Sequence, residues 1–393
     1  MNLTVGVYSD SYPDKRMILN KVEGLQYVQI KNRRENFGRA LRFAARAFPE
    51  IRQTEMYAQG VHFTLDAPCY SDIDVIHTFN RVCLHDCNRW MATFEKTFPE
   101  YFSEETKINY RLMRKQLPLI LSDKCIAILP MSQWAYQYEL QLLSQFAKSD
   151  EIDQVKRKMS VLYPPQDILI TKEEIKSKLH KTGKIKFLYV GSQVKRKGGA
   201  EALKAFARLR KSHGNFSVTF IGKPYDNYCN FYLDIEEKKE IQDIIACADW
   251  LEFHEKLSND EVLRIAKEAD VGLLPTLGDT FGFSVLEMQA SGCPVITTDR
   301  QALSEINNDE CGWLINTEDI QLSHGDDFAH YSRDEVRTLS KAIEERLNEI
   351  LTGIMKNQQQ IGLKAEKSLE RIMNWHGSQE YAERLHSIYQ RGI

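Results

Sequence analysis

The sequence predicts an α/β protein in two domains, with a doubly wound parallel sheet best marked in the second half. Three observations carry this. The second half alternates short apolar runs with amphipathic stretches, the pattern of strand–helix–strand units. The first half opens on an apolar run at residues 4–8 and holds another at 125–129. A chain of 393 residues is long enough for two domains that each bury a core.

Composition narrows the classes of function. A net charge of -3 argues against a nucleic-acid partner held by bulk charge. No apolar run reaches membrane-spanning length, and the longest candidate, 117–129, is broken by Ser122, Asp123 and Lys124. The N-terminus enters a strand with no charged-then-apolar leader, which points to a cytoplasmic protein without a secretion signal. The eight cysteines are scattered and mostly lie in apolar runs, as Cys125, Cys247 and Cys293 do. That favours reduced thiols over a disulfide scaffold. There is no internal repeat, P-loop, dinucleotide fingerprint or Gly-x-Ser-x-Gly elbow.

Taken in order, the first strand at 4–8 leads into a loop with Ser9, Asp10, Ser11 and Pro13. Residues 35–48 read as an amphipathic helix. Phe37, Leu41, Ala44 and Phe48 form one stripe and Arg39, Arg42 and Arg46 another. A second basic helix is expected at 104–118, with Lys107, Arg111, Arg114 and Lys115. Two readings stay open for residues 33–48 and 107–115: solvated helices packed on the first sheet, or a surface that docks on anionic lipid headgroups at the inner face of a membrane. Asp72 and Asp74 spell Asp-x-Asp, but they precede a strand, so no metal role is expected. Cys83, His85 and Cys87 alternate near His77, and alternate residues of an extended segment share a face. No second Cys/His pair completes a zinc spacing, so free thiols and no bound metal are expected. Residues 90–102 are rich in aromatics, whose rings stack well on the faces of sugars, so a binding cleft is expected there. A buried strand is expected at 125–129. The charged stretch 172–184 suits a surface helix or linker.

In the second half, strands are expected at 187–190, 218–221, 251–253, 271–275, 295–297 and 313–315. Helices are expected at 200–211, 234–247 and 259–268. Ligands of such sheets sit at the C-terminal ends of the strands. From Arg333 onward the sequence is helical, ending in a helix with Trp375, Tyr381 and Tyr389.

Chemistry concentrates in Asp279-Thr-Phe-Gly-Phe-Ser-Val-Leu-Glu287 and the following Met-Gln-Ala-Ser-Gly-Cys-Pro-Val-Ile. Gly278, Gly282 and Ser284 keep this loop thin, so a ligand can approach its backbone. A helix starting near Phe283 offers free N–H groups and a positive dipole end to a phosphate. Asp279 and Glu287 are acceptors for sugar and ribose hydroxyls, so the stretch suggests a nucleotide sugar. A second loop, Val190-Gly-Ser-Gln-Val-Lys-Arg-Lys-Gly-Gly199, supplies glycines with Arg196 and Lys197 at a helix start, which suits a diphosphate leaving group.

These motifs resemble the retaining GT-B glycosyltransferases of glycosyltransferase family 4, of the bacterial surface-polysaccharide or lipid-linked saccharide type. Phe-Gly-x-x-Val-Leu-Glu and Ser-Gly-Cys-Pro-Val-Ile match the family's donor signature, with Asp279 one methylene shorter than the usual first glutamate. Gly191, Lys197 and Gly198 match its Val-Gly-Arg-x-x-x-x-Lys-Gly segment, with Ser192 at the arginine position. Asp74-Val-Ile-His77 looks like the family's Asp-Val-Val-His strand, and 161–167 like its segment into the hinge. Three departures stand out. The loop after the first strand lacks Gly-Gly, Thr93-Phe-Glu95 replaces Thr-x-His, and the stretch 299–305 lacks both glycines and the proline of the family pattern.

The resemblance implies a GT-B fold, two Rossmann-like doubly wound domains facing across a cleft. Residues 1–168 would bind acceptor, joined by the terminal helix 375–393, and 169–374 would bind donor. It implies sugar transfer with retention from a nucleoside diphosphate sugar to a saccharide or lipid-linked saccharide, with no cofactor and no metal. Donor contacts would come from Gly191, Arg196, Lys197, Asp279, Phe281, Gly282, Phe283, Ser284 and Glu287. Catalysis would rest on Asp279, Lys197 and Arg196, with Glu95 as a proton acceptor for the acceptor hydroxyl. The alternatives are a catalytically idle GT-B partner subunit and a GT-B nucleotide-sugar epimerase or hydrolase.

Overall fold

A computed structural model describes residues 3–9, 11–48, 64–84, 87–99, 110–179, 183–225, 228–325 and 327–391. The chain forms two compact units. The first comprises Met1–Pro165 and His376–Ile393, the second Gln166–Trp375.

The first unit is built on a five-stranded parallel sheet of β1 (Thr4–Val7), β2 (Gln26–Gln29), β4 (Val75–Phe79), β6 (Arg89–Phe94) and β7 (Cys125–Pro130). A separate parallel pair is formed by β3 (Thr64–Leu65) and β5 (Val82–Cys83). The order of the main sheet is β2-β1-β4-β6-β7. Val5, Val75, Trp90 and Ile128 are all buried, because helices cover both faces of a parallel sheet.

The structure corrects three expectations. Trp90, Phe94 and Phe98 of the aromatic stretch are core side chains packed on one another, with centroids 5.7 Å apart for Phe94 and Phe98, so these three line no acceptor cleft, while Tyr101 and Phe102 lie outside the described residues. In the helix Glu35–Ala47 only Leu41 of the quoted apolar stripe is buried, while Phe37 and Phe48 stand out in solvent. Cys69 and Cys87 form a disulfide with Cα atoms 5.3 Å apart, so not every thiol is reduced. Asn88 draws the two segments together by donating to the carbonyls of Tyr70 and Ile73 at 2.7 and 3.0 Å. The cysteine–histidine alternation therefore assembles nothing: Cys87 is bridged, Cys83 is buried in β5 and His85 lies outside the described residues. Asp74 accepts from the backbone N–H of Thr4 at 2.7 Å, at the N-terminal edge of the sheet, away from the ligand-binding ends. No helix among the described residues is long and apolar enough to cross a membrane.

The C-terminal segment completes this unit. The helix Ser378–Gln390 buries Tyr381 and Tyr389. Tyr381 donates its hydroxyl to the carbonyl of Met17 at 2.5 Å, and Arg384 donates to that of Val161 at 2.8 Å. Tyr389 shares a 2.8 Å hydrogen bond with Nδ1 of His77 on β4, whose Nε2 meets Thr93 on β6 at 2.8 Å.

The second unit holds a six-stranded parallel sheet of β8 (Ile185–Val190), β9 (Phe216–Ile221), β10 (Leu251–His254), β11 (Val271–Leu274), β12 (Val295–Thr298) and β13 (Trp313–Ile315). Runs such as Phe187-Leu-Tyr-Val190 are apolar on both faces, and three of the helices between and after the strands carry a capping box. Asp234 pairs with Glu237, Ser258 with Glu261, and Ser332 with Glu335. The order β10-β9-β8-β11-β12-β13 is the Rossmann order, whose chain reversal falls between β8 and β11. Phe187, Phe206, Phe216 and Trp250 cluster under one face of the sheet.

His77 supplies a test of the first unit. Burial pushes its imidazole down to about 3, whereas the unfolded chain protonates near its ordinary value. Between these values the unfolded state binds the additional proton, so stability is full above about pH 6.5 and is lost as pH falls. Urea melts at pH 7.5 and 5 should differ by about 2 kcal/mol through this residue. His77→Phe should flatten that part of the slope, and an unchanged slope would contradict the assignment.

Candidate functional site

Two loops leave the sheet of the second unit where its strand order reverses. One follows β8 and spans 191–198, and the other follows β11 and spans 275–282. Ligands of doubly wound sheets bind at this point, because neighbouring strands send their connections to opposite faces and leave a crevice. Here the loops touch. Gly198 has φ 75°, and a Cβ there would lie 1.8 Å from the carbonyl oxygen of Pro275, so only glycine lets the backbones meet. Gly282, with φ 91°, caps the helix Phe283–Ala290 and packs under Leu303.

Hydrogen bonds fasten the β11 loop on both sides. Towards the β8 loop, the N–H of Leu277 and the hydroxyl of Thr276 both donate to the carbonyl of Arg196 at 2.9 Å. The Arg196 guanidinium donates to the Gly278 carbonyl and to Oε1 of Gln193, each at 2.6 Å. It faces the rings of Tyr228 and Phe328, which pack on each other, from 5.3 and 5.4 Å to their centroids. Towards β12, Thr298 donates to the carbonyl of Thr276 at 2.8 Å, and the N–H of Asp279 donates to Oε1 of Gln301 at 3.0 Å.

The result is a buried acid held against two cations. Asp279 pairs directly with the Lys197 ammonium and lies 3.9 Å from Arg196. Burial alone would raise its carboxyl, but Lys197 and then Arg196 hold it below the usual carboxylate range. Both cations are largely buried, with side chains 16% and 13% exposed, so the field between them is poorly screened.

Lys195, two residues before Lys197, points the other way. Its side chain is 2% exposed and donates to Glu201 and Glu237 at 2.7 Å each and to Ser340 at 2.8 Å. Glu201 opens the helix Gly199–Arg210, Glu237 belongs to Ile235–Cys247 and Ser340 to Arg333–Lys356. One ammonium thus staples the turn that carries Arg196 and Lys197 to three helices. Burial would lower this ammonium, but Glu201 and Glu237 hold it above its ordinary value.

The structure brings Gly191, Arg196, Lys197, Asp279, Phe281, Gly282, Phe283, Ser284 and Glu287 together on these two loops and the helix that follows. Phe281 turns its ring inward, 5.4 Å from that of Phe283, and Glu287 lies on the buried side of its helix. Glu95 belongs to the first unit. It follows β6, half-buried, with its N–H on Oδ1 of Asn80 at 3.2 Å. Sequence reasoning missed Lys195, Gln193, Gln301, Tyr228 and Phe328. The burial of Lys195 is signalled in the sequence by nothing nearer than Glu201, its partner six residues on. No group of three or more side chains among the described residues is arranged to hold a metal ion.

Comparison with known proteins adds to this geometry. Residues 171–326 match the family described as glycosyl transferases group 1. A glycogen synthase of Mycobacterium tuberculosis is 29% identical over 125 residues, which is 32% of this chain and 28% of that protein. The chain thus aligns with less than a third of this relative's length. The structure of HepE from Anabaena in complex with UDP superposes with a TM-score of 0.59 at 10% identity, covering 100% of both chains. A glycosyltransferase from Rickettsia africae gives 0.58 at 12% identity, covering 100% of this chain and 98% of that one. The fold is therefore GT-B, built of two Rossmann-like domains.

Removing the Lys195 ammonium should leave Glu201 buried without its cation. Lys195→Met is expected to destabilise the second unit by roughly 3–5 kcal/mol. The double variant Lys195→Met with Glu201→Gln should recover more than half of that loss in denaturant melts. Equal stability of the two variants would contradict the staple.

Proposed function

We propose that this GT-B chain is a retaining glycosyltransferase that moves a sugar from a nucleoside diphosphate sugar to a saccharide or lipid-linked saccharide acceptor, without a bound metal. The observation that carries the reading is the meeting of Lys197, Asp279 and the start of the helix Phe283–Ala290 at the strand-order reversal of the second unit. The match of residues 171–326 to group 1 glycosyl transferases supports it.

The chemistry follows from the charges. Breaking the bond from the sugar to the diphosphate leaves the electron pair on a phosphate oxygen, so negative charge grows on the leaving group. Lys197 and the N–H groups of Phe281, Gly282 and Phe283 stabilise that charge. Arg196 adds to the positive field while its guanidinium clamps Gly278. Asp279 accepts from hydroxyls of the donor sugar, and Glu287 from those of the ribose. Gly191 keeps the floor of the β8 loop thin, since a Cβ there would lie 3.1 Å from that of Lys197, and Ser284 keeps the helix start narrow. Glu95 takes the proton of the acceptor hydroxyl as the new glycosidic bond forms. These interactions strengthen as charge develops, so they act on turnover more than on ground-state binding.

A second reading concerns location. In the helix Glu35–Ala47 and just after it, Phe37, Phe43 and Phe48 are 46%, 75% and 63% exposed, beside the basic residues of 33–46. Exposed aromatics among arginines suit the boundary between lipid headgroups and acyl chains. The further basic residues Arg111, Arg114 and Lys115 lie on the helix Tyr110–Leu121, and Lys107 falls outside the described residues. The exposed face of Glu35–Ala47 would dock on an anionic membrane where a lipid-linked acceptor resides.

A thermal-shift screen of nucleotide sugars should reveal a donor that raises Tm. With that donor, Lys197→Ala should lower turnover roughly 10²-fold. Asp279→Asn should lower turnover while leaving the affinity for the free nucleoside diphosphate nearly unchanged. Near-wild-type turnover of folded Lys197→Ala would sink the leaving-group role.

Sedimentation with vesicles containing anionic lipid should carry the protein down at low salt. Binding should fall at least tenfold after Phe43→Ser with Phe48→Ser. Equal sedimentation of wild type and variant would exclude this face.

A further inference from the structure

Three residues of the second unit outside glycine have a left-handed backbone among those described: Gln193, Cys229 and Gln301. Two of them flank the acid–cation pair. Gln193, with φ 55°, accepts from Nε of Arg196, and Gln301, with φ 48°, accepts from the N–H of Asp279. The left-handed region disfavours a side chain with a Cβ, and persists where the surroundings hold it for a purpose. Gln301 lies where the resembled family pattern carries a glycine, and it keeps the glycine-like backbone while adding a side chain aimed at the opposite loop. It is almost fully buried. Its neighbour Arg300 anchors the same turn from behind, donating to the carbonyl of Gly325 at 2.9 Å and to the hydroxyl of Tyr331.

We propose that Gln301 is a positioning residue for Asp279: by accepting its backbone N–H, it sets where the Asp279 carboxylate stands relative to Lys197 and the donor sugar. The inference rests on the reading of Asp279 as the acid that meets the sugar. The shorter side chain of Asp279 gives this grip its importance. A carboxylate one methylene back from the usual glutamate has less reach, so its backbone must be fixed from the side opposite the cations. Two contacts do this together. Lys197 draws the carboxylate towards the β8 loop, while Gln301 draws the N–H towards the β12 loop. The bond also occupies the Asp279 N–H, so a phosphate at this crevice takes its backbone donors from further along, nearer the helix start.

The test uses Gln301→Gly and Gln301→Asn in the full chain. Glycine takes this backbone without strain and asparagine tolerates it, but neither reaches the Asp279 N–H. Both variants should fold, with Tm within about 5 °C of wild type, the scale of one lost hydrogen bond in a unit of this size. Amide hydrogen exchange at Asp279 should be about tenfold faster in each, the scale of one lost hydrogen bond. With UDP and UDP-glucose as probes, UDP-glucose turnover should fall about tenfold, while the Kd for UDP, which lacks the sugar, changes less than about twofold. Unchanged exchange at Asp279, unchanged turnover, or a loss of UDP affinity equal to the loss of turnover would each overturn the proposal. If wild type binds UDP and turns over UDP-glucose while both variants match it, only the role of Gln301 fails. If wild type binds no nucleotide sugar in the thermal-shift screen, the donor reading fails with it.

Discussion

The backbone contact between Gly198 and Pro275 is the constraint on which the site of the second unit depends. Two loops that leave parallel strands side by side would normally be kept apart by their own side chains. A glycine in the left-handed region removes the one atom that would forbid the approach. Once the loops touch, short polar links become available across more than seventy positions of sequence. Arg196 then reaches Gly278, and Lys197 reaches Asp279. The same contact explains why the acid stays ionised in a buried place: its counter-charges arrive with the neighbouring loop. Fixed charges in a poorly solvated crevice exert more force on a reacting group than the same charges in water.

The three adjacent cations of the β8 loop illustrate how one short stretch divides its labour. Lys195 goes down into the unit and joins helices, Arg196 lies sideways against two rings and holds the facing loop, and Lys197 meets the acid. In a tight, hydrogen-bonded turn successive side chains leave in different directions, so a run of like charges need not be a solvated face. Each direction meets a different partner. The repulsion among the three is offset by Glu201, Glu237 and Asp279 rather than by water.

Much of this was legible in the sequence, and the limits have physical causes. The strands of the second half lie close to their expected positions, because runs such as Phe187-Leu-Tyr-Val190 are apolar on both faces and the helices announce themselves by capping boxes. The residues around Asp279 and Lys197 were legible because glycines and charges in a fixed spacing carry the resemblance. Gln301 was not, since a glutamine in a left-handed turn has no signature and its partner lies 22 residues away. In the first unit the aromatic stretch misled, because period-two alternation in a strand buried on both faces places Trp90 and Phe94 in the core rather than against a ligand. Phe37 and Phe48 misled in the opposite sense. Helical spacing identifies a stripe, but it does not say whether another part of the protein covers it. The pairing of Cys69 with Cys87 depends on a turn held by Asn88, which spacing alone does not reveal.

The first unit is assembled from both sides of the second in the chain, and this bears on how the molecule is made. A ribosome delivers β1 to β7 first, then all of the second unit, and only then Tyr381 and Tyr389. Until that moment His77 sits in a sheet whose neighbouring tyrosine has not been synthesised. The second unit, continuous in sequence, can close while the first still waits for its last helix. For nascent chains, which generally fold domain by domain from the N-terminus, the order is inverted here: the part synthesised first is completed last, and its open flank is exposed to whatever chaperones attend the exit tunnel.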